Sequence, residues 1–297
     1  MASHGRVVNR LPQLWLNSEN ERQASKTVTD FQGMVDTENT LGTAVEVARE
    51  AGSLLCGLLN RPHQISYKRP MDLVTEADRR SEELITSRLR DHFPDFSIVA
   101  EEGSGHTGSS DYCWYVDPLD GTTNFAHGFP VFCVSLGLAF RGEVAVGVVF
   151  DPTREEMYTA ERGSGAFMNG KRLEVSRIQN ISEGLVATGF TPFGRNEERN
   201  FQYYLRFTTA SHGVRRAGSA ALDLCSVAAG RFEAFWELKL NPWDKAAGVL
   251  MVTEAGGRVT SLTGGPFKLK GDEVFASNGL VHEAMIQVFS EPPRNSL

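Results

Sequence analysis

Apolar residues recur at intervals of three and four in two early stretches of the chain. This spacing predicts an amphipathic helix over residues 40–59, which ends before Pro62, and a second helix over residues 76–92, which ends before Pro94. Residues 68–78 lie between the two helices and are predicted to form a loop or a hairpin. The regular part of the chain is therefore expected to begin with two helices.

Short β-type runs follow the second helix, and Gly, Asp and Pro turns separate them. These runs cover residues 97–100, 112–116, 131–141, 144–150 and 156–160. Because tight turns join successive strands, the pattern predicts an antiparallel sheet.

Strand and helix patterns alternate after Gly184. The predicted elements are a strand, two helices, a strand and a helix, at residues 185–189, 197–210, 219–229, 232–236 and 243–255. This order is typical of a three-layer α/β unit. We therefore expect an α+β domain over residues 37–183 with most candidate ligands, and an α/β domain over residues 184–297.

The first 36 residues are rich in Asn, Ser, Gln, Arg and Glu and show no apolar periodicity. We predict that residues 1–36 form a disordered N-terminal tail. The lack of acids before Glu19 weakly favours a transit peptide instead, and Met34 is an alternative start.

The composition is that of a globular protein, with 41% hydrophobic and 23% charged residues among 297. A net charge of −7 argues against nucleic acid as the main ligand. No apolar stretch approaches the roughly 20 residues that a membrane-spanning helix needs, so we expect no membrane partner. Four single cysteines predict buried free thiols and a cytoplasmic location: Cys56, Cys113, Cys133 and Cys225.

Two carboxylates three residues apart, Asp117 and Asp120, leave an apolar run and meet a Gly-Thr-Thr turn. Pro118 stiffens the backbone between them, and Gly121 begins a segment whose N–H groups can face an anion. This pattern predicts a metal-phosphate site.

Three more acidic groups are placed where they could converge on the same cleft. Glu101 and Glu102 follow a predicted strand, Asp244 begins a predicted helix, and Asp78 comes three residues after Thr75. No matching His or Cys cluster accompanies these acids. Oxygen ligands alone favour Mg²⁺ as the metal.

Each acid also has a structural interpretation. Asp78 fits a capping box with Thr75, and Asp244 fits a helix cap. Glu101 and Glu102 could lie in a solvated loop, and the two acids of the Asp-Pro-Leu-Asp segment could form Asx-type turns.

One phosphatase mechanism is excluded at this motif. In haloacid-dehalogenase-type enzymes a nucleophilic Asp lies two residues before the second Asp, and here that position is Pro118. The remaining route is attack of water on phosphorus, with two or three metal ions neutralising the phosphate.

Several separated motifs resemble the inositol monophosphatase family in the same order, from about residue 40 to residue 290. They are residues 72–78, Glu101-Glu102, residues 117–125, 163–170, 216–223 and 243–248. The resemblance implies a layered α-β-α-β-α sandwich of the inositol monophosphatase and fructose-1,6-bisphosphatase type, with the active site between two halves.

The resemblance also implies a ligand set. Glu101, Asp117 and the Leu119 carbonyl would hold a first Mg²⁺, and Asp117, Asp120 and Asp244 a second. Glu101 would hold a looser third ion, and Asp78 would lie beside the cluster. Glu101, Thr122 and Asp120 would act in catalysis, the first two by orienting the attacking water.

The substrate contacts follow from the same resemblance. N–H groups of Gly121 and Thr122 would hold phosphate, and the alcohol would contact Asp120, Gly218, Ser219, Ala220 and Glu237. Lys68 would lie in a mobile loop over the metals. This loop is one residue shorter here than in familiar animal members.

The activity implied is Mg²⁺-dependent hydrolysis of myo-inositol monophosphate, a small phosphorylated polyol, with inhibition by Li⁺ and a homodimeric state. Phe125, Phe129 and Phe132 are expected to serve internal packing rather than a dimer face. Histidinol phosphatase, fructose-1,6-bisphosphatase and nucleotide 3′-phosphatase remain alternatives. A further alternative is a secondary interaction with the transcription machinery, as some bacterial relatives have.

Overall fold

The computed structural model describes residues 37–59, 65–69, 72–190 and 198–292. These ranges fall within one structural unit, Asp36–Leu297. The predicted disordered tail and Met34 lie outside the described residues, and so does the side chain of Lys68. None of the described helices is long and apolar enough to cross a membrane.

Two helices begin the described chain, as the apolar spacing predicts. They are α1, Thr37–Leu58, and α2, Glu76–His92. Between them β1, Ile65–Arg69, pairs antiparallel with β2, Asp72–Thr75. Of the two interpretations of this stretch, the hairpin is therefore confirmed, and it leads directly into α2.

A seven-stranded sheet follows, with its strands in chain order. The strands are β3 Ser97–Ala100, β4 Tyr112–Asp120, β5 Cys133–Phe140, β6 Glu143–Asp151, β7 Glu156–Glu161, β8 Gly165–Met168 and β9 Lys171–Arg172. The predicted antiparallel pairing holds from β4 onward, but β3 pairs parallel with β4. The long connection between β3 and β4 brings the chain back to the end of the sheet at which β3 begins, so the two strands run in the same direction. The antiparallel prediction assumed tight turns between strands, and no tight turn joins these two.

The second sheet has five strands in the order β11-β10-β12-β14-β13 and is mixed. Its strands are β10 Leu185–Thr188, β11 Gly213–Arg215, β12 Ala234–Leu238, β13 Arg258–Thr260 and β14 Glu273–Ser277. The sequence pattern predicts β10 and β12 but not the other three. Two of those have three residues each, which is too short for a periodicity.

The helices form three layers around the two sheets. Helices α1 and α2 pack on the seven-stranded sheet, and α5, Ala220–Ala228, and α6, Pro242–Glu254, lie between the sheets. Helix α4, Glu198–Ala210, and α7, His282–Ser290, pack with the five-stranded sheet around a separate apolar cluster. The α-β-α-β-α sandwich that the resemblance implies is therefore present.

Helix α6 lies so close to the first sheet that Gly137 of β5 has no room for a side chain. A Cβ atom added at Gly137 of β5 would lie 2.6 Å from the Cβ of Ala246. One apolar core contains residues of both sheets, including Val149 and Phe235. The chain passes from one sheet to the other near residue 183, and we keep the domain division there as a proposal.

The four cysteines are free thiols. Cys133 and Cys225 are buried as expected, but Cys113 is only partly buried and Cys56 is exposed. The expectation of burial is wrong for Cys56, which lies at the surface where the last turns of α1 meet Pro152, with its Sγ 3.6 Å from the Pro152 carbonyl oxygen.

Candidate active site

A β-bulge in β4 places the two central aspartates on one face of the sheet. Asp117 lies opposite Ser135 of β5 and Asp120 lies opposite Cys133, so three steps along β4 match two along β5. In a regular strand, residues three apart would point to opposite faces. The bulge removes this conflict, and Pro118 at the bulge has no N–H group to leave unpaired.

Two hydrogen bonds hold the backbone of the bulge. Ser81 of α2 donates to the carbonyl oxygen of Pro118 over 2.8 Å, and the Leu119 N–H donates to Oδ1 of Asp117 over 3.1 Å. Asp117 itself is only 2% exposed. These two bonds therefore fix the backbone of the bulge between the two aspartates.

Asp120 connects β4 with the N-terminus of α5. Its Oδ2 accepts the hydroxyl of Ser219 and the N–H of Ala221, each over 2.7 Å. Ser219 is the N-cap residue of α5 and also accepts from Leu222. A carboxylate at this helix end is stabilised by free N–H donors and by the helix dipole.

Asp78 and Asp244 both cap helices, as the structural interpretation of each predicts. Oδ2 of Asp244 accepts the N–H of Asn241 over 2.6 Å, and Oδ2 of Asp78 accepts the N–H of Thr75 over 2.8 Å. The second oxygen of Asp78 lies 2.9 Å from the hydroxyl of Thr122. Asp78 therefore caps α2 with one oxygen and holds the Thr122 side chain with the other, so the cap and a place in the candidate site are compatible.

Gly121 begins the short helix α3, Thr122–Ala126, with a φ of 106°. A Cβ there would lie 2.8 Å from the carbonyl oxygen of Val131, so the position needs glycine. Asn124 donates to Val131 over 2.7 Å and to the Ala217 carbonyl over 2.9 Å. Asn124 thus ties the turn that begins at Gly121 to the segment that carries Gly218.

Glu101 follows β3 and is half-buried. Its N–H donates to the carbonyl oxygen of Val116 over 3.2 Å, which extends the β3–β4 pairing by one residue. Its charge helps to raise the pKa of both Asp117 and Asp244. Glu101 therefore faces the other acids rather than only solvent.

The acids from these separate segments disfavour one another's ionised form. Burial raises the pKa of Asp117 well above its usual value, and Glu101, Asp120 and Asp244 raise it further. Burial likewise raises the pKa of Asp244 well above its usual value, followed by Glu101 and Asp120. Burial raises the pKa of Asp120, while Ser219 and backbone N–H groups oppose this. Such a group of desolvated carboxylates favours binding of a cation.

Glu237 of β12 is 6% exposed and packs against Gly189, where a Cβ atom would lie 2.1 Å from Oε2. Burial raises the pKa of Glu237 well above its usual value, and Asp223, Asp244 and Asp120 add to the shift. Glu237 therefore belongs electrostatically to the same cluster as the acids of the first sheet.

The donor set fits a hard divalent cation in chemistry, because it consists of carboxylate and carbonyl oxygens. Among the described residues, no three His, Cys, Asp or Glu side chains are grouped closely enough to hold a metal ion as they stand. Asp120 and Asp244 instead direct oxygens to backbone N–H groups. The metal ligands therefore remain a proposal.

Three buried residues near the site have no assigned role in the sequence analysis. Asp223 is 2% exposed in the first turn of α5, and burial followed by Asp120 raises its pKa well above the usual value. Asn200 accepts from Trp236 Nε1 and donates to the carbonyl of Gly189. Glu82 of α2 accepts the N–H of Glu102. Polar residues in predicted helices resemble surface residues in sequence, so only burial distinguishes them.

The three phenylalanines divide between packing and exposure. Phe125 and Phe132 are fully buried and meet edge-to-face with ring centroids 5.1 Å apart. Phe129 is 52% exposed, so packing does not explain this residue.

The fold and the acid set indicate a phosphatase, with the candidate site where the Asp-Pro-Leu-Asp segment (the DPLD segment, residues 117–120) meets α5 and α6. A family model described as the inositol monophosphatase family matches residues 36–293. The chain belongs to this family, whose enzymes are metal-dependent phosphatases.

Individual relatives agree with this assignment. The chain is 41% identical to an inositol-1-monophosphatase of Synechocystis sp., over 90% of this chain and 96% of that protein. It is 44% identical to the Nus factor SuhB of Pseudomonas aeruginosa, over 83% of this chain and 94% of that protein. A crystal structure of the extragenic suppressor protein suhB from Bartonella henselae superposes with a TM-score of 0.82 at 38% identity, covering 85% and 99% of the two chains.

Proposed function

We propose that this phosphatase hydrolyses myo-inositol monophosphate to inositol and phosphate by attack of a water molecule. The observation that carries the proposal is that three segments of the chain bring Glu101, Asp120 and Asp244 close enough to buried Asp117 for each to raise its pKa. A buried group of acids is unfavourable by itself and is stabilised when cations and a phosphate monoester share the site.

Mg²⁺ is the proposed cofactor, with two or three ions per site. Glu101, Asp117 and the Leu119 carbonyl would hold the first, and Asp117, Asp120 and Asp244 the second, with Glu101 on a looser third. When bound, these ions would neutralise the phosphate and lower the pKa of water. Li⁺ is expected to inhibit.

The chain's own groups orient the nucleophile. The Thr122 hydroxyl has one proton, and Oδ1 of Asp78, 2.9 Å away, can accept it. The hydroxyl oxygen of Thr122 is then free to accept a hydrogen bond from one O–H of the water. The Glu101 carboxylate can accept the second O–H of the same water. The N–H groups of Gly121 and Thr122 would hold the phosphate at the start of α3.

The alcohol would lie between α5 and β12. Glu237 would accept hydrogen bonds from sugar-like hydroxyls, with Asp120, Gly218, Ser219 and Ala220 lining the same side. Lys68 is proposed as an accessory residue above the metals.

A substrate panel tests this proposal. Phosphate release should give the highest kcat/KM with inositol 1-phosphate among that ester, histidinol phosphate, fructose 1,6-bisphosphate and adenosine 3′,5′-bisphosphate, each at saturating Mg²⁺. A higher value with another ester would assign the chain to that branch, and no release from any would contradict the proposal.

We also propose that the enzyme is a cytoplasmic homodimer. The name of the Pseudomonas relative suggests a secondary role in a transcription complex. That role is tested by capture of RNA polymerase on immobilised Asp117→Asn protein, which is expected to lack turnover. Sedimentation measures the oligomeric state.

A further inference from the structure

One turn of α2 presents three buried polar side chains to the site. Asp78, Ser81 and Glu82 are 0%, 0% and 1% exposed. Asp78 holds the hydroxyl of Thr122, and Ser81 holds the carbonyl oxygen of Pro118. Asp78 and Ser81 thus each hold a segment of the candidate active site, and Glu82 contacts the turn after Glu101.

Glu82 holds the turn that follows Glu101. Its Oε2 accepts the N–H of Glu102 over 2.6 Å, and its Oε1 accepts the N–H of Ser104 over 2.8 Å and the Ser104 hydroxyl. A buried carboxylate is costly unless such donors surround it. Hydrogen bonds to a charged acceptor are also stronger than those between neutral groups.

This turn lies between two other backbone attachments. Before it, the N–H of Glu101 donates to Val116, and beyond it Ile98 and His106 exchange backbone hydrogen bonds of 2.7 and 2.8 Å. Glu82 holds the amide groups between these attachments, so it determines the direction in which the chain leaves Glu101.

We propose that Glu82 is a positioning residue that keeps the Glu101 carboxylate in the metal site, an inference that rests on the proposed function. The carboxylates of Asp117 and Asp244 repel Glu101. Because Glu101 is partly exposed, it can turn toward solvent when its backbone is released. The three hydrogen bonds to Glu82 oppose this movement, and they raise metal affinity without touching the metal.

A matched control separates positioning from simple stabilisation of the fold. Glu254 of α6 holds another turn with the same chemistry, since its two oxygens accept the N–H groups of Gly163 and Gly165 over 2.8 and 2.9 Å. That turn joins β7 to β8 and carries no proposed ligand. Glu254→Gln therefore removes a comparable clamp elsewhere.

The experiment compares Glu82→Gln and Glu254→Gln in the full chain. An amide accepts at one end only, and its NH₂ group opposes the donors at the other end. Both variants should have a lower Tm in metal-free buffer. Only Glu82→Gln should raise the Mg²⁺ concentration for half-maximal Tm increase, by about tenfold. KM for inositol 1-phosphate at saturating Mg²⁺ should stay within about twofold of the parent value.

Equal Mg²⁺ midpoints in the two variants would overturn the proposal. If Glu82→Gln does not fold, Ser104→Ala removes the hydroxyl donor and leaves both N–H donors. It should shift the Mg²⁺ midpoint in the same direction by about twofold, and an unshifted midpoint overturns the proposal. A parent chain that neither responds to Mg²⁺ nor releases phosphate overturns the proposed function, and this inference with it.

Discussion

The hydroxyl of Ser219 donates to Oδ2 of Asp120 over 2.7 Å, although 99 positions separate the two residues along the chain. This bond joins the end of β4 to the first residue before α5. It therefore couples the acids of the DPLD segment to the side of the site that we assign to the alcohol.

Ser219→Ala should affect both stability and turnover. The variant loses an N-cap and one of the donors that stabilise ionised Asp120, so the free energy of unfolding should fall by about 1 kcal/mol. The kcat/KM for inositol 1-phosphate should fall about tenfold. The control is Ser290→Ala, whose exposed hydroxyl donates within α7 to Ile286. Equal kcat/KM in the two variants would show that Ser219 does not contribute to catalysis.

Asp117→Asn should stabilise the metal-free protein while abolishing activity. Burial and three neighbouring acids raise the pKa of Asp117, so its ionised form destabilises the fold as pH rises through the folded-state pKa. A neutral side chain removes this penalty, and Tm in metal-free buffer at pH 7 should rise.

The same variant should lose its Tm response to Mg²⁺, and kcat should fall by about a thousandfold or more. Asp111→Asn, which removes an exposed partner of Arg141, is the control and should keep both properties. A normal Mg²⁺ response in Asp117→Asn would rule out Asp117 as a ligand.

Gly189→Ala should act on the alcohol side alone. The added methyl group would lie 2.1 Å from Oε2 of Glu237 and must displace that carboxylate. KM for inositol 1-phosphate should rise about tenfold while the Mg²⁺ midpoint stays unchanged. Gly42→Ala is the control, because nothing lies within 4 Å of its Cβ position. An unchanged KM in Gly189→Ala would contradict the role of Glu237.

His282 should make the protein less stable in mild acid. Its ring is fully buried between the hydroxyls of Ser277 and Thr260, at 2.7 and 2.9 Å, and burial followed by Arg258 lowers its pKa from 6.5 to about 4. The unfolded chain binds the proton first as pH falls. The contribution of His282 is therefore complete above pH 6.5 and is lost between pH 6.5 and about 4.

The size of this loss is about 3 kcal/mol, from the difference between the two pKa values. Urea unfolding at pH 7 and at pH 4.5 should show a flatter pH dependence in His282→Gln than in the parent. The exposed His92→Gln should keep the parental slope. Identical slopes for all three proteins would show that His282 is not the group responsible.

Periodicity predicts the long helices and the central strands because they bury a continuous apolar face. It fails for β11 and β13, each of three residues, since so short a segment shows no period. It also fails for the parallel pairing of β3 with β4, which a long loop determines rather than a local turn.

Some residues of the candidate site are likewise indicated by the sequence, and others are not. Asp117, Asp120 and Asp244 stand in motifs with distinctive neighbours, and sequence alone selects them. Glu82 has no such context, because a glutamate in a polar helix is ordinarily exposed. Its 1% exposure and its bonds to the Glu102 turn appear only when the fold brings α2 beneath that turn.

The bulge in β4 makes the active site depend on how many residues the segment contains. Substitution at Leu119 leaves its carbonyl in place, because a main-chain oxygen does not depend on the side chain. Deletion of Pro118 or Leu119 would remove the extra residue of β4, and the two aspartates would still face one side of the sheet, because residues two apart in a regular strand do so. What the extra residue adds is therefore main chain: a shorter segment would keep both carboxylates on one face and lose the bulged backbone whose Pro118 carbonyl accepts the Ser81 hydroxyl.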